Sequence, residues 1–420
     1  MIQKPKGTYD VYGEKGKQIL YIEKLFKCLM SKYNYEYFKT PIFEASELFH
    51  RGVGETSDIV SKETYDFKDR GDRNMTLRPE GTAGIVRSYI ENKLYGNGGL
   101  TKAWYYGSMY RYERPQSGRF REFNQFGVEA FGSNDPALDA EIISIPVTLY
   151  KMLGLKGIKV NINTLGDNES RNNYRNALIE HFRPHLDELC EDCKNRFEKN
   201  PLRLLDCKQD KDLEVMKTAP KIIDYLNEES RKHFELVQEY LTQMNIDYKV
   251  NPGVVRGLDY YTHTVFEVEA SVEGFGSQNV LCGGGRYNNL VETLGGPSVP
   301  GVGFAFGLER LLAALEAEKI NLDDEEQIDF YIIPVDETVK AYGMNVLNLL
   351  RINGFNGDID YLNRSIKANF KTVDRLNPKY IIIIGEDEVK NKLVTIKNNS
   401  TKEEVKIKID ELIDYLDNQD

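Results

Sequence analysis

Residues 104–132 read WYYGSMYRYERPQSGRFREFNQFGVEAFG, two runs of alternating side chains flanking an arginine-rich loop. Successive side chains of a strand point to opposite faces. The spacing therefore puts Tyr105, Gly107, Met109, Arg111 and Glu113 on one face of the first run, and Phe123, Gln125, Gly127, Glu129 and Phe131 on one face of the second. That odd-numbered face holds a guanidinium, an amide and two carboxylates. The even positions offer Tyr106, Tyr110, Tyr112, Phe126, Val128 and Ala130, enough apolar surface to pack against a core. Gly107 and Gly127, set among polar residues, suggest places where something other than a side chain approaches the backbone. A solvated polar face is the plain alternative, because antiparallel sheets often expose one side. The apolar even face leaves the odd face free to floor a ligand site.

Working outward, apolar residues Ile19, Ile22, Leu25, Phe26 and Leu29 recur at helical spacing and predict a helix over 16–32. Residues 35–42 read as a strand ending near Pro41, and 74–78 as a strand running into Pro79 and a helix to about residue 91. Over 166–244 charge is dense and aromatic strands vanish, while 169–182 and 228–244 have helical spacing, so a helical insertion is expected. The sheet resumes at 260–270 and 279–281, followed by a turn at Gly283-Gly284-Gly285, a strand at 302–306 and a helix over 307–318. The acidic stretch 322–327 reads as a linker. Beyond it, apolar strands at 330–334, 358–361 and 380–384 alternate with helical patterns at 339–353 and 364–376, which implies a small α/β domain with a largely parallel sheet.

A chain of 420 residues exceeds what one hydrophobic core supports, so two or three domains are expected. No apolar run is long enough to span a bilayer, and the first residues show no apolar core of a secretory signal. Five cysteines, an odd number in a long chain, argue for a reducing cytoplasm. A formal charge of −11 disfavours a uniformly basic nucleic-acid binder and leaves local patches to decide.

Arg310 follows a strand and sits in the first turn of a predicted helix, where unpaired backbone N–H groups and a guanidinium favour a phosphate. Arg111 and Arg256 supply two more cations from separate segments. Three such arginines suit a triphosphate or its reacting phosphorus. No Walker-type phosphate loop is present. Cys190 and Cys193, with Cys207 as a third thiol, show one ligand pair where a structural zinc site wants four ligands; no zinc and no other bound metal is expected.

These stretches resemble the class II aminoacyl-tRNA synthetases, and within them the histidyl-tRNA synthetases. The second motif of the class looks like residues 110–113 (YRYE) through 121–123 (REF), the third like 301–310 (GVGFAFGLER), and the first, more loosely, the chain around Pro41. Residues 256–261 (RGLDYY), 282–287 (CGGGRY) and 76–82 (TLRPEGT) look like signatures of the histidine enzymes, and the likeness runs from 6–10 (KGTYD) into the C-terminal domain.

The resemblance implies an α+β catalytic domain built on an antiparallel sheet over 1–325, with a helical insertion at about 166–245, and a C-terminal α/β anticodon-binding domain over 328–420. It implies ATP and histidine as substrates, Mg²⁺ accompanying ATP, tRNA as acceptor, a homodimer, and a cytoplasmic enzyme with no membrane contact. It assigns Arg111, Glu113 and Arg310 to ATP and Arg256 to the α-phosphate and substrate carboxylate. Glu80, Thr82 and Gln125 match positions for the α-amino group, and Glu129, Tyr260 and Tyr261 line the histidine side of the site. A carboxylate and a phenol suit an imidazole, which offers one N–H and one bare nitrogen. Arg114, Gln116, Arg119 and Arg121 are assigned to the acceptor end of tRNA. Arg364, Lys367, Lys371 and Arg375 form a basic stripe in the anticodon region. A histidine-sensing regulatory relative that lacks catalysis is the rival; it is disfavoured by Arg256 and by the domain that follows Gln327.

Overall fold

The computed structural model describes residues 2–54, 59–115, 118–207, 209–254, 258, 260–272, 279–322 and 327–419. Its contacts divide the chain into two compact units, Met1–Asp323 and Asp324–Asp420.

The alternating runs build the first unit. Its eight-stranded sheet has the order Glu36–Tyr37, Thr101–Tyr110, Glu122–Phe131, Gly301–Gly307, Val280–Arg286, Thr262–Ala270, Ile158–Thr164, Tyr248–Val250. Neighbours are antiparallel except at the two edges, where Glu36–Tyr37 and Tyr248–Val250 pair parallel. The central hairpin has the register expected of its odd and even faces: Tyr105 stands opposite Gly127, Gly107 opposite Gln125 and Ala103 opposite Glu129. On the even face, Phe126 is fully buried and stacks between Tyr106 at 4.3 Å and Phe306 at 5.1 Å. Each such side chain removed from water contributes about 1.5–3 kcal/mol. Helices Glu14–Lys32, Pro136–Met152 and Leu308–Ala317 lay Ile22, Phe26, Ile142, Leu149 and Leu311 over this face.

The opposite face is floored by small residues. Along Gly301–Gly307 the core takes Val302, Phe304 and Phe306, leaving Gly303, Ala305 and Gly307 beside Glu129, Gly127 and Gln125. The expected turn at 283–285 is instead part of strand Val280–Arg286. Its glycines permit close packing: a Cβ on Gly284 would lie 2.3 Å from the Gly303 carbonyl oxygen. The lack of any side chain larger than a methyl at Gly283, Gly303 and Ala305 opens a cleft here.

Other expectations shift at boundaries. Only Glu36–Tyr37 of the run 35–42 joins the large sheet; after Pro41, which has no N–H to give a ladder, Phe43–Ala45 belongs to a separate three-stranded sheet with Asn74–Leu77 and Tyr65–Lys68. The segment 166–244 is largely helical, with long helices Asn168–Phe182 and Glu228–Gln243 around several short ones.

The second unit holds a five-stranded sheet ordered Gly357–Ile359, Phe330–Pro334, Tyr380–Ile384, Leu393–Asn398, Glu404–Lys408. The first three strands are parallel, as expected. The last two run antiparallel, so the sheet is mixed rather than largely parallel. The outermost strand Glu404–Lys408 alternates charged and apolar residues and is mostly exposed, so it lacks the apolar run of a central strand.

Candidate functional site

A cleft of about 420 Å³ lies on the small-residue face, lined by Glu80, Thr82, Arg111, Glu113, Arg119, Gln125, Glu129, Tyr260, Tyr261, Glu309 and Arg310, among others. Separate segments thus bring ten residues singled out in the sequence to one cavity, together with Glu309. Arg256 and Gln116 lie outside the described residues.

One end of the cleft is cationic. Arg111 leaves its strand after Tyr110 and is held by its Nε, which donates to the Pro79 carbonyl at 2.9 Å. Arg310, in the first turn of Leu308–Ala317, donates from Nη1 to the Val280 carbonyl at 2.8 Å. Burial first, then the charge of Arg119, lowers the proton affinity of Arg310; Glu113 opposes the shift and Arg111 adds to it. Three guanidiniums therefore sense one another in a half-enclosed space, an arrangement that favours a polyanion. Glu113 sits between them, 3.4 Å from Arg119 and 3.9 Å from Arg111.

The other end is acidic and phenolic. Glu129 is 1% exposed, and its carboxyl accepts hydrogen bonds from the Thr82 hydroxyl at 2.7 Å, the Tyr105 hydroxyl at 3.4 Å and the Tyr287 hydroxyl. Burial pushes this carboxyl up to about 8, against the pull of those hydroxyls and helped by the charge of Glu80. Glu80 precedes helix Thr82–Glu91, and its two oxygens accept from the backbone N–H groups of Thr82 at 2.7 Å and Ala83 at 2.8 Å. Burial raises the Glu80 carboxyl and these N–H groups oppose it. Gln125 is fixed through its Oε1, which accepts from the Gly81 N–H at 3.1 Å. Tyr260 and Tyr261 stand ring to ring at 4.7 Å.

Several assignments change. The approach to Gly107 and Gly127 comes from the protein itself: a Cβ would meet the Arg78 guanidinium at 2.4 Å and the Tyr105 ring at 2.1 Å. Of the loop arginines, Arg119 lines the cleft. Arg121 is a brace: its guanidinium lies 3.8 Å from the Tyr112 ring centre, and its backbone N–H donates to the Gly7 carbonyl at 2.8 Å. Arg114 is exposed and outside the cleft lining. In the second unit, helix Ile366–Leu376 carries exposed Lys367, Lys371 and Arg375. Arg364 precedes that helix, and its guanidinium donates to Asp360 at 2.8 Å, the Thr372 hydroxyl at 2.7 Å and the Tyr331 hydroxyl at 2.9 Å. The stripe is therefore three residues long.

Three contributors were missed in the sequence. Tyr105, across the hairpin, and Tyr287, just past strand Val280–Arg286, reach Glu129 through the pairing of separate strands, which the sequence does not display. Glu309 accepts from Tyr9 and from the Asn124 backbone N–H at 2.8 Å through Oε1, while its buried Oε2 has no hydrogen-bond partner among the described residues. Its place in the GLER sequence beside Arg310 was the available signal.

Comparison with known proteins agrees with this geometry. A family model described as histidyl-tRNA synthetase matches residues 7–311, and one described as anticodon binding domain matches 329–419. A histidine–tRNA ligase of Geobacillus sp. (strain WCH70) is 54% identical over 415 residues, covering 99% of this chain and 98% of the relative. The crystal structure of apo S. aureus histidyl-tRNA synthetase superposes with a TM-score of 0.85 at 45% identity, over 99% of both chains. A Bacillus halodurans structure described as an ATP phosphoribosyltransferase regulatory subunit/histidyl-tRNA synthetase shares the fold at 21% identity, with a TM-score of 0.61 over 91% of this chain and 98% of that one. The full-length match, on a chain whose hairpin gathers arginines at one end of a cleft and a buried carboxyl at the other, establishes that this protein belongs to the histidyl-tRNA synthetase family.

Proposed function

We propose that the protein is a histidine–tRNA ligase. The observation that carries this reading is the single cleft with a cationic end for ATP and an acidic, phenolic end for histidine. The histidine carboxylate attacks the α-phosphorus of ATP, the bond to the β-phosphate oxygen breaks, and pyrophosphate leaves; a ribose hydroxyl at the tRNA 3′ end then attacks the acyl carbon and releases AMP. No general base is needed in the first step, because the carboxylate is already ionised at neutral pH.

Arg111 and Arg310 hold the phosphates, with Arg310 toward the γ end, and Arg256 offsets charge on the crowded phosphorus. Glu80, Thr82 and Gln125 receive the α-ammonium. Glu129, with Tyr260 and Tyr261, receives the imidazole, and an analogue lacking either ring nitrogen leaves a buried group unpaired, a penalty of roughly 10⁴-fold or more. Glu113 and Glu309, whose Oε2 has no hydrogen-bond partner among the described residues, are oxygen donors of the kind Mg²⁺ prefers. When bound with ATP, Mg²⁺ supplies charge neutralisation at the phosphates. The activation chemistry asks for no zinc.

Residues 1–325 carry catalysis and 328–420 read the anticodon, with Lys367, Lys371 and Arg375 as phosphate contacts; Arg114, Arg119 and Gln116 face the acceptor end. A homodimer is supported by exposed Tyr37, Ile42, Phe43 and Phe67 around the segment like the first motif of the class. No helix among the described residues is long and apolar enough to cross a membrane, and no disulfide joins the cysteines; kinship with enzymes that charge tRNA supports a cytoplasmic site of action.

ATP–pyrophosphate exchange with each amino acid in turn tests the reading. Exchange with histidine alone is expected, and strong exchange with another amino acid overturns it. Arg256→Ala is expected to slow adenylate formation by about two to three orders of magnitude; unchanged turnover would remove its role.

A further inference from the structure

The helical insertion carries a cluster that the ligation reaction does not use. Cys190, Cys193, Cys207 and Asp210 each present one metal-binding atom, and these atoms all lie within 4.8 Å of one another. The four residues form two matched pairs with the same spacing, Cys190-x-x-Cys193 and Cys207-x-x-Asp210. The sequence offers three thiols and one matched pair, and an aspartate in a charged segment is unremarkable; folding brings Asp210 in as a fourth potential donor.

The spacing leaves room for a central ion. Cys190 Sγ and Cys207 Sγ are 3.8 Å apart. Thiolates at about 2.3 Å from a tetrahedral zinc stand about 3.8 Å from each other, whereas a disulfide needs about 2.05 Å. One backbone donor links the two pairs and another closes the second pair. The Cys190 N–H donates to Asp210 Oδ2 at 3.0 Å, and the Asp210 N–H donates to Cys207 Sγ at 3.4 Å. Such bonds to ligand atoms fix their orientation.

The surroundings explain why an ion belongs there. Cys193, Cys207 and Asp210 are buried, and both thiols sit in an apolar cluster with Leu189, Phe197 and Leu204. Besides the long helix Asn168–Phe182, the helices around these thiols are short: Arg183–Glu188, Glu191–Lys199, Pro201–Asp206 and Glu214–Lys217. Helices of that length do not persist by themselves, and small cores are commonly stapled by a structural metal.

We propose that Cys190, Cys193, Cys207 and Asp210 form a structural zinc site that staples the insertion. Four protein donors close the coordination sphere, so the ion has no open position for substrate. On binding, the thiol protons pass to solvent and the thiolates take their place on Zn²⁺.

The test uses the full-length, reduced protein expressed in zinc-supplemented medium and desalted. Elemental analysis is expected to find about one zinc per chain. Cys193→Ser and Cys207→Ser are expected to lower that content about tenfold or more, and Cys28→Ser and Cys282→Ser to leave it unchanged. Metal-free protein given Co²⁺ is expected to show thiolate charge-transfer and tetrahedral absorption bands that Zn²⁺ abolishes. Fewer than about 0.1 zinc per chain together with no cobalt bands in the unsubstituted protein overturns the proposal. So does full zinc content in Cys207→Ser, or peptide mapping that finds Cys190 and Cys207 disulfide-linked in the freshly isolated protein. Because the first reading is made on the unsubstituted chain, a variant that fails to fold leaves the test intact.

Discussion

Glu129→Gln separates the charge of the buried carboxyl from its shape. In the free protein this group titrates at about 8, so about a tenth of it is ionised at pH 7 and about half at pH 8. If the ionised form accepts the imidazole N–H better than the neutral form does, kcat/KM for histidine rises between about pH 7 and 8 and levels off above it. Histidine carries titrations of its own, but the variant shares them. The ratio of wild-type to Glu129→Gln kcat/KM, measured by pyrophosphate exchange at saturating ATP from pH 6 to 9, therefore isolates the enzyme group. Glutamine keeps an acceptor oxygen, while the hydroxyls of Thr82, Tyr105 and Tyr287 can reorient around its amide. The loss on the alkaline plateau is then the difference between a charged and a neutral hydrogen bond, about 1–2 kcal/mol or roughly 5–30-fold. The ratio should fall toward unity at acid pH. A ratio constant across the range refutes the reasoning.

Other substitutions probe the scaffold and the second substrate. Asp139 is 1% exposed and Arg286 0% exposed, joined by hydrogen bonds from Nε and Nη2, so Asp139→Asn leaves a buried cation unpaired and is expected to destabilise the fold by about 3–5 kcal/mol in urea unfolding. A loss below about 1 kcal/mol would show the pair to be dispensable. Burial, aided by the charges of His233 and Arg286, lowers His263 from 6.5 to about 4. Its contribution is present above pH 6.5 and is lost as pH falls through 4, about 3 kcal/mol at most. His263→Asn, which tolerates the backbone φ of 46° there, should flatten the loss of stability between pH 6.5 and 4, and an unchanged slope would count against it. Lys371→Ala with Arg375→Ala is expected to weaken tRNA binding and reduce the salt slope by about 2; an equal effect on histidine exchange would place them elsewhere.

Much of the active cleft was legible before folding because strands have a period of two. Glu129, Gln125 and Gly127 share a face whatever surrounds them, and the even positions Phe126, Val128 and Ala130 had to find a core. Arg310 was placed by a strand running directly into a helix, since that junction alone puts it beside unpaired N–H groups. Helices with apolar stripes, such as Glu14–Lys32, were readable for the same periodic reason.

Cross-strand register, close approach and burial were decided only in three dimensions. The glycines of 283–285 read locally as a turn, yet backbone pairing with Thr262–Ala270 and Gly301–Gly307 makes them a strand. Arg121 and Arg364 look like free cations in one dimension and become braces where carbonyls, a tyrosine ring or Asp360 meet them. Glu129 acquires its raised proton affinity from burial beside Glu80, a pairing 49 residues apart in the chain. Periodicity belongs to the covalent order and is visible in it; desolvation and hydrogen bonding depend on which distant groups arrive at the same place, and the fold alone determines that.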